Sequence, residues 1–307
     1  IQHIRRGPVG GTIGAVDNHL DAVKSYLCIQ CGFGKFHIAP HRIQHAAGPP
    51  QLGGLRQCDG PGGKVGYAGF HHIRQFGAIG AEQFDAIIKR LLNHEPIQYV
   101  FGETEFMGLP MKLNKHTLIP RPETELIVEE VLKIIKPFSS KSLLDVGTGS
   151  GCIIISIIKE RLNCLATAID ISKKALNIAR FNAKMHHLIN KINFVNIDID
   201  KYKSCNYDLI ISNPPYINSI ELNRLDDDIK FHEPKIALSG GSDGFRYIKK
   251  VIFKSKTLLK INGKLIIEIG HTQKSQTKKI LYENGFYINK ISKDLSGNER
   301  CITSTKL

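Results

Sequence analysis

The stretch Leu143-Leu144-Asp145-Val146-Gly147-Thr148-Gly149-Ser150-Gly151 decides the fold. It reads as an apolar strand that ends in a glycine-rich turn and opens a helix. Glycines suit such a turn because the backbone must reverse sharply and approach a ligand with no Cβ in the way. Nineteen residues after Gly151 a second strand ends at Asp170, placed to accept hydrogen bonds from both hydroxyls of a ribose. Strand, glycine turn, helix, strand and acid in this order point to a site for a nucleoside-bearing ligand.

Outward from this stretch, strand and helix signals alternate to the end of the chain. Strands are predicted near 142–146, 165–169, 193–197, 207–212, 264–269 and 299–304, and helices near 151–161, 172–187, 244–260 and 271–284. Such alternation predicts an α/β domain, a mostly parallel sheet with helices on both faces. Upstream, residues 82–93 read as an amphipathic helix with Phe84, Ile87, Ile88, Leu91 and Leu92 on one face. Gly102, Gly108 and Pro110 between short β-prone runs suggest a hairpin within 97–119. Pro120-Arg121-Pro122 breaks the chain, and a helix follows from Glu123 to Ile135 with acids in its first turn.

The chain has 307 residues, 42% hydrophobic and 23% charged, enough to bury a large core without disulfides. Its apolar runs, such as Cys152 to Ile158, are far too short to cross a bilayer. No apolar segment follows Ile1-Gln2-His3-Ile4-Arg5-Arg6 as a secretory signal requires, and seven scattered cysteines suggest a reducing compartment. A cytoplasmic protein, neither secreted nor membrane-bound, is expected. The net charge of +14 favours polyanions through non-specific electrostatics. The basic residues are dispersed, so a solvated lysine-rich surface is the preferred reading.

Residues 1–80 differ from the rest. They hold 16 of the 28 glycines and 7 of the 13 histidines, but three lysines and no glutamate. That leaves little room for helical periodicity beyond a short helix at about Val16 to Leu27. Cys28-x-x-Cys31 with His37, His41 and His45 suggests zinc, but the five residues between Cys31 and His37 are too few for a zinc-finger spacing. No metal is expected.

The run Asp208-Leu209-Ile210-Ile211-Ser212 reads as a buried strand and delivers Asn213-Pro214-Pro215-Tyr216 at its carboxyl end, the edge at which open α/β sheets bind ligands. Two prolines fix the backbone and remove two N–H donors. The side-chain oxygen of Asn213 and the carbonyl of Pro214 can then accept both hydrogens of one NH2 group, while the Tyr216 ring packs on the flat group that carries it. A planar amide is a poor nucleophile. Holding it in line with an electrophile, with two acceptors for the charge that develops on nitrogen, supplies proximity, orientation and electrostatic stabilisation.

A dinucleotide site needs G-x-G-x-x-G. This chain has G-x-G-x-G with Asp145 two residues before it, which resembles the first motif of S-adenosylmethionine-dependent methyltransferases. With Asn213-Pro214-Pro215-Tyr216 it resembles the amino-methyltransferases of that type. Glu95-Pro96-Ile97-Gln98-Tyr99, Gly102, Glu105-Phe106-x-Gly108, Leu118 to Glu125, Glu233-Pro234, Ala237-Leu238, Gly240-Gly241-x-Asp243-Gly244, Ile267-Glu268-Ile269-Gly270 and Asp294-Leu295-Ser296-Gly297 narrow the likeness. Over residues 82–305 the chain resembles the peptide chain release factor glutamine N5-methyltransferases.

The resemblance implies a Rossmann-like, doubly wound, mostly parallel seven-stranded sheet over residues 137–307, preceded by a helix and hairpin linker (81–136) and the atypical segment 1–80. It implies methylation of the glutamine in the Gly-Gly-Gln motif of release factors, with S-adenosylmethionine as cofactor. Gly147, Thr148, Gly149, Ser150 and Gly151 would line the cofactor loop and Asp145 would lie near the methionine end. Asp170 would hold the ribose, and Asp198 and Ile199 would border the adenine. Asn213, Pro214, Pro215 and Tyr216 would clamp the glutamine, with Asn213 also beside the cofactor. Arg121, Glu123 and Glu125 would shape the pocket from the linker side. The family carries an N-terminal helical bundle that residues 1–80 do not match. The composition break near 80 and the absence of an initiator Met predict that this segment is not the native recognition domain but the product of a misplaced start or an upstream frame error. The alternatives are a ribosomal-protein glutamine methyltransferase, a methyltransferase for exocyclic amines of nucleic acid, disfavoured because no base-reading module is visible, and a cofactor-binding module without turnover.

Overall fold

The computed structural model describes residues 81–307. The short helix near Val16, the Cys28 and Cys31 pair with its histidines, and the expected absence of a recognition bundle all lie outside the described residues.

The linker begins with helix α1 (Ala81–Leu92) and the short helix α2 (Ile97–Phe101). Leu91 is buried, but Leu92 is exposed and leaves the predicted apolar face, because Leu91 and Leu92 are adjacent and stand about 100° apart on the helix. The hairpin of β1 (Glu103–Phe106) and β2 (Leu109–Lys112) follows. Its two-residue loop, Met107-Gly108, has positive φ at both positions, as a hairpin loop twisted to match its strands requires. Met107 is held there by its N–H, which donates to Glu125 Oε1 at 2.6 Å. Pro122–Thr124 form a 3-10 turn, so helix α3 (Glu125–Ile134) starts two residues later than Glu123.

The domain proper alternates strand and helix: β3 (Ser142–Val146), α4 (Cys152–Glu160), β4 (Leu165–Asp170), α5 (Lys173–Met185), β5 (Ile192–Asn196) and β6 (Tyr207–Ser212). Three short helices follow, α6 (Ser219–Leu222), α7 (Asp227–His232) and α8 (Lys235–Leu238). Then come α9 (Arg246–Leu258), β7 (Leu259–Glu268), α10 (Lys274–Glu283), β8 (Phe286–Lys293) and β9 (Glu299–Lys306). The seven strands run β5-β4-β3-β6-β7-β9-β8. The first five are mutually parallel, and β9 is antiparallel to both neighbours.

Period-two alternation distributes the strand residues between two cores. Leu143, Leu209, Ile211 and Ile266 face one side, where Ile127, Ile154, Ile158, Leu176 and Ala179 cover them. Leu144, Ile210, Leu265 and Ile267 face the other, under Ile248, Ile252, Ile280 and Leu281. Helices on both faces make the central strands apolar throughout.

Two strand readings needed correction. β8 was absent from the predicted strands because it is an edge strand whose register with β9 shifts between Ile288 and Lys290 and again between Ser292 and Lys293, which destroys alternation. β7 begins at Leu259 rather than 264. Asn262 adopts φ 62° inside the strand and the register with β6 shifts between Tyr207 and Leu209, which breaks the alternation at its start.

The hairpin docks on α5 through two side chains. His186 Nε2 lies 2.7 Å from the Pro110 carbonyl. Asn182, fully buried, accepts from Lys112 N–H at 2.8 Å and donates to the carbonyls of Lys112 and of Ser150 at 3.0 and 2.9 Å. One amide thus joins the linker to the glycine turn. Asn182→Ala leaves three backbone groups without their partner, one buried and two part-buried, and is expected to cost about 3 kcal/mol in chemical denaturation. Asn289→Ala, at an exposed hydrogen bond to Thr305, should cost less than about 0.5 kcal/mol.

Candidate active site

Because β3, β4, β6 and β7 are parallel, their carboxyl ends meet on one edge of the sheet. Gly147, Asp170, Asn213 and Glu268 emerge there together. The register pairs Val146 with both Ile169 and Ser212, and Ser212 with Ile267. Ser212 Oγ donates to the Val146 carbonyl at 2.8 Å, so the glycine turn and the Asn-Pro-Pro-Tyr segment start from adjacent, tied strand ends.

In the glycine turn Gly147, Gly149 and Gly151 have φ of 74°, 57° and 83°, a region that L side chains rarely adopt. A Cβ on Gly147 or Gly149 would point into open space, while one on Gly151 would meet Ile155 Cδ1 at 2.9 Å and Ala179 Cβ at 3.2 Å. The first two glycines shape the surface and the third permits helix packing. The N–H groups of Gly147 and Thr148 donate to the Ile169 carbonyl, that of Gly149 to Asp170 Oδ2, and that of Gly151 to the Thr148 carbonyl. With those donors committed, the turn is a shaped wall rather than a nest for phosphate. The Thr148 and Ser150 side chains are buried, so these residues contribute through backbone. Thr148 Oγ1 donates to Asp145 Oδ2 at 2.7 Å.

Asp145 is fully buried. Its Oδ1 has no hydrogen-bond partner among the described residues, and burial pushes its carboxyl up to about 7, with the nearby Asp170 charge adding to the rise. Asp170 accepts from the N–H groups of Gly149 and Ser172 at 2.9 and 2.8 Å, and burial raises it too. Asp198 caps the 3-10 turn Ile199–Lys201, accepting from Asp200 N–H at 2.9 Å, with Lys250 Nζ 3.8 Å away. Ile199 packs into the hydrophobic core beneath.

The segment after β6 is held from behind. Asn213 Nδ2 donates to Thr124 Oγ1 at 3.1 Å. Among the described residues, neither Asn213 Oδ1 nor the Pro214 carbonyl takes part in a hydrogen bond. Tyr216 Oη donates to Glu268 Oε1 at 3.3 Å, and burial followed by the Glu268 charge raises the phenol well above its usual range. Gln273 Nε2 donates to the carbonyls of Tyr216 and Gly244 at 3.1 Å each, while its Oε1 accepts from Gly270 N–H at 2.9 Å. A Cβ on Gly244 would sit 2.6 Å from the Tyr216 carbonyl oxygen, so this glycine admits the Tyr216 backbone.

The linker acids divide. Glu125 is committed to Met107 and faces the hairpin turn. Arg121 reaches across to the buried Glu233 with a 2.5 Å ion pair that closes the loop after α7 over the linker. Glu123 acts on Glu268 through its charge. The sequence reading missed Asn182 and Gln273, buried amides within helical patterns that no motif marks. It also assigned no role to Thr124 or Glu268, although both stand inside the quoted motifs.

Residues 137–304 match the family model described as a methyltransferase domain. The chain is 38% identical over 224 residues to a release factor glutamine methyltransferase of Fusobacterium nucleatum, covering 72% of this chain and 63% of that one. It is 40% identical over 223 residues to one of Enterococcus faecalis, covering 71% and 79%. It is 34% identical over 259 residues to a bifunctional methyltransferase of Rickettsia bellii, covering 75% and 46%. The chain belongs to the release factor glutamine methyltransferase family. It spans 63% of the length of the Fusobacterium member and less than half of the Rickettsia protein. A Pyrococcus furiosus methyltransferase of known structure shares the fold, with TM-score 0.50 and 19% identity over 71% of this chain and 96% of that one. Among the described residues no helix is long and apolar enough to cross a membrane.

For this family member the buried acid of the glycine motif has a measurable signature. A carboxyl whose folded pKa lies above its unfolded value lets the unfolded state release its proton first, so stability falls as pH rises. For Asp145 the loss starts near 3.8 and is complete above about 7. Asp145→Asn keeps an acceptor for Thr148 and sheds the charge. Its Tm without ligand should exceed that of the wild type at pH 8, with a smaller difference at pH 5.

Proposed function

We propose that the protein transfers a methyl group from S-adenosylmethionine to the side-chain amide nitrogen of the glutamine in the Gly-Gly-Gln motif of peptide chain release factors. The observation that carries this reading is the Asn213 carboxamide. Its NH2 is tied back to Thr124, and its oxygen and the neighbouring Pro214 carbonyl remain available as two acceptors. Two acceptors on one rigid turn suit the two hydrogens of a primary amide.

The residues fit the cofactor. Gly147 and Gly149 leave open space where a Cβ would stand, Asp170 offers its carboxylate to ribose hydroxyls, and Asp198 stands at the adenine side. The unpartnered Asp145 Oδ1 suits the methionine ammonium, and a cation there would favour the carboxylate over the acid. The bound cofactor supplies a methyl group on a sulfonium. Asn213 and Pro214 hold the glutamine amide so that its nitrogen lone pair faces that methyl, and Tyr216 covers the flat amide. With the cofactor bound, Asn213 Oδ1 and the Pro214 carbonyl would keep the amide nitrogen aimed at that methyl group, and water would take the proton the nitrogen sheds. The acceptors stabilise the charge on nitrogen before the proton leaves.

In this reading residues 137–307 carry the chemistry and residues 81–136 close the site from the linker side through Arg121 and Thr124. A cytoplasmic setting accords with the free thiols of Cys152, Cys164, Cys205 and Cys301.

Tritiated methyl transfer to purified release factor tests the reading. Label is expected on wild-type substrate, none when the Gly-Gly-Gln glutamine is alanine, and at least a ~100-fold slower rate with Asn213→Ala. Label on ribosomal protein or RNA, with none on release factor, would refute it.

A further inference from the structure

Behind Asn213 lies a chain of buried side chains that the proposed chemistry does not itself use. Thr124, on the 3-10 turn before α3, and Glu268, the last residue of β7, are each 2% exposed. Asn213 donates to the Thr124 hydroxyl at 3.1 Å and Tyr216 Oη donates to Glu268 Oε1 at 3.3 Å, and the Thr124 hydroxyl favours the ionised form of the Glu268 carboxyl as a hydrogen-bond donor to it. Glu268 Oε2 has no partner of its own among the described residues.

The directions in this chain are not independent. A carboxylate can only accept, so with Glu268 ionised the single protons of Thr124 and Tyr216 both point at it. The Thr124 oxygen is then left as an acceptor, and Asn213 must offer it the NH2. The Asn213 oxygen therefore faces away from Thr124, toward the space before Pro214. If Glu268 gains a proton it can donate to Thr124. The Thr124 proton then turns to Asn213, which must accept with Oδ1 and expose its NH2 instead. An exposed NH2 meeting a substrate NH2 brings two donors together with nothing to accept.

We propose that Glu268, relayed by Thr124, is the positioning residue that sets which end of the Asn213 carboxamide faces the substrate. The proposal rests on the reading of Asn213 as the group that holds the glutamine amide. Glu268 works as a switch because of what surrounds it. Burial acts most strongly and raises its carboxyl to about 7. The hydroxyls of Thr124 and Tyr216 and the Arg300 guanidinium on β9 favour its ionised form, while the Glu123 charge disfavours it. Cys301, its partner across the β7–β9 ladder, is held as a neutral thiol by burial and by the Glu268 charge. Arg121 acts on Tyr216 from the linker side.

The test needs a readout besides turnover. In full-length protein labelled with 15N-asparagine, the Asn213 side-chain signal is assigned by its loss in Asn213→Ala and followed from pH 5.5 to 8.5. A single transition with a midpoint near 7 is expected, and it should vanish in Glu268→Gln and in Thr124→Val, which keeps the shape of threonine without its hydroxyl. With release factor as substrate, kcat of the wild type should rise with pH through the same midpoint. Thr124→Val should lower kcat by about 10- to 100-fold with KM changed little, and Thr124→Ser should stay within about threefold of wild type. An unaltered Asn213 transition in Glu268→Gln, or wild-type kcat in Thr124→Val, would overturn the proposal. A wild-type protein that shows the coupled transition yet methylates no release factor would support the relay and defeat only the substrate assignment.

Discussion

Parallel pairing of β3 with β6 is the constraint on which the site depends. Val146 lies opposite Ser212, and the Ser212 hydroxyl closes onto the Val146 carbonyl. Neighbouring strands are about 4.8 Å apart, so the residues that leave these two strands begin one strand spacing from each other. The strand ends fix where each loop starts, and short hydrogen bonds fix where it goes. Asn182 reaches from α5 to the glycine turn and to the hairpin at once, and Gln273 holds the Tyr216 carbonyl against Gly244. A displacement of α5 or α10 would therefore be felt at the site without any change in the residues that form it.

Buried acid is concentrated at this edge. Asp145, Asp170, Glu233 and Glu268 all have carboxyls raised above their ordinary range, in each case chiefly by burial. Elsewhere in the domain the shifted acids run the other way. Against burial, Asp208 lies low because the Ser142 N–H and then Lys260 and Lys141 favour its ionised form, and Glu130 because Lys133 and Lys290 pair with it. A cluster of desolvated carboxyls with few cations beside them costs stability, and such clusters gather where ligands bind. The +14 net charge is thus no guide to the site, which is acidic.

Much of the architecture was legible because its signals are local. The turn Gly147 to Gly151 needs positive φ, and glycine announces it. The central strands lie under helices on both faces, so they read as unbroken apolar runs. Asn213 to Tyr216 follows a buried strand directly, and its two prolines mark a rigid segment. The edge strand β8 escaped notice because half its residues face solvent and its register slips twice. Asn182 and Gln273 escaped it because an amide in a helical pattern looks the same whether it faces water or two buried carbonyls. The family resemblance places Glu125 at the pocket, and only the fold shows its carboxylate turned to Met107.

The sequence by itself determined the central strands and the long helices between them, which turn must be glycine, and which four residues follow β6, since each depends on a neighbour within a few positions. The tertiary structure alone decided which way the Asn213 carboxamide points. That direction depends on Thr124, 89 residues away along the chain, and on Glu268, 55 residues away on the other side. Hydrogen-bond direction passes from one buried group to the next through space, and no pattern along the chain records it.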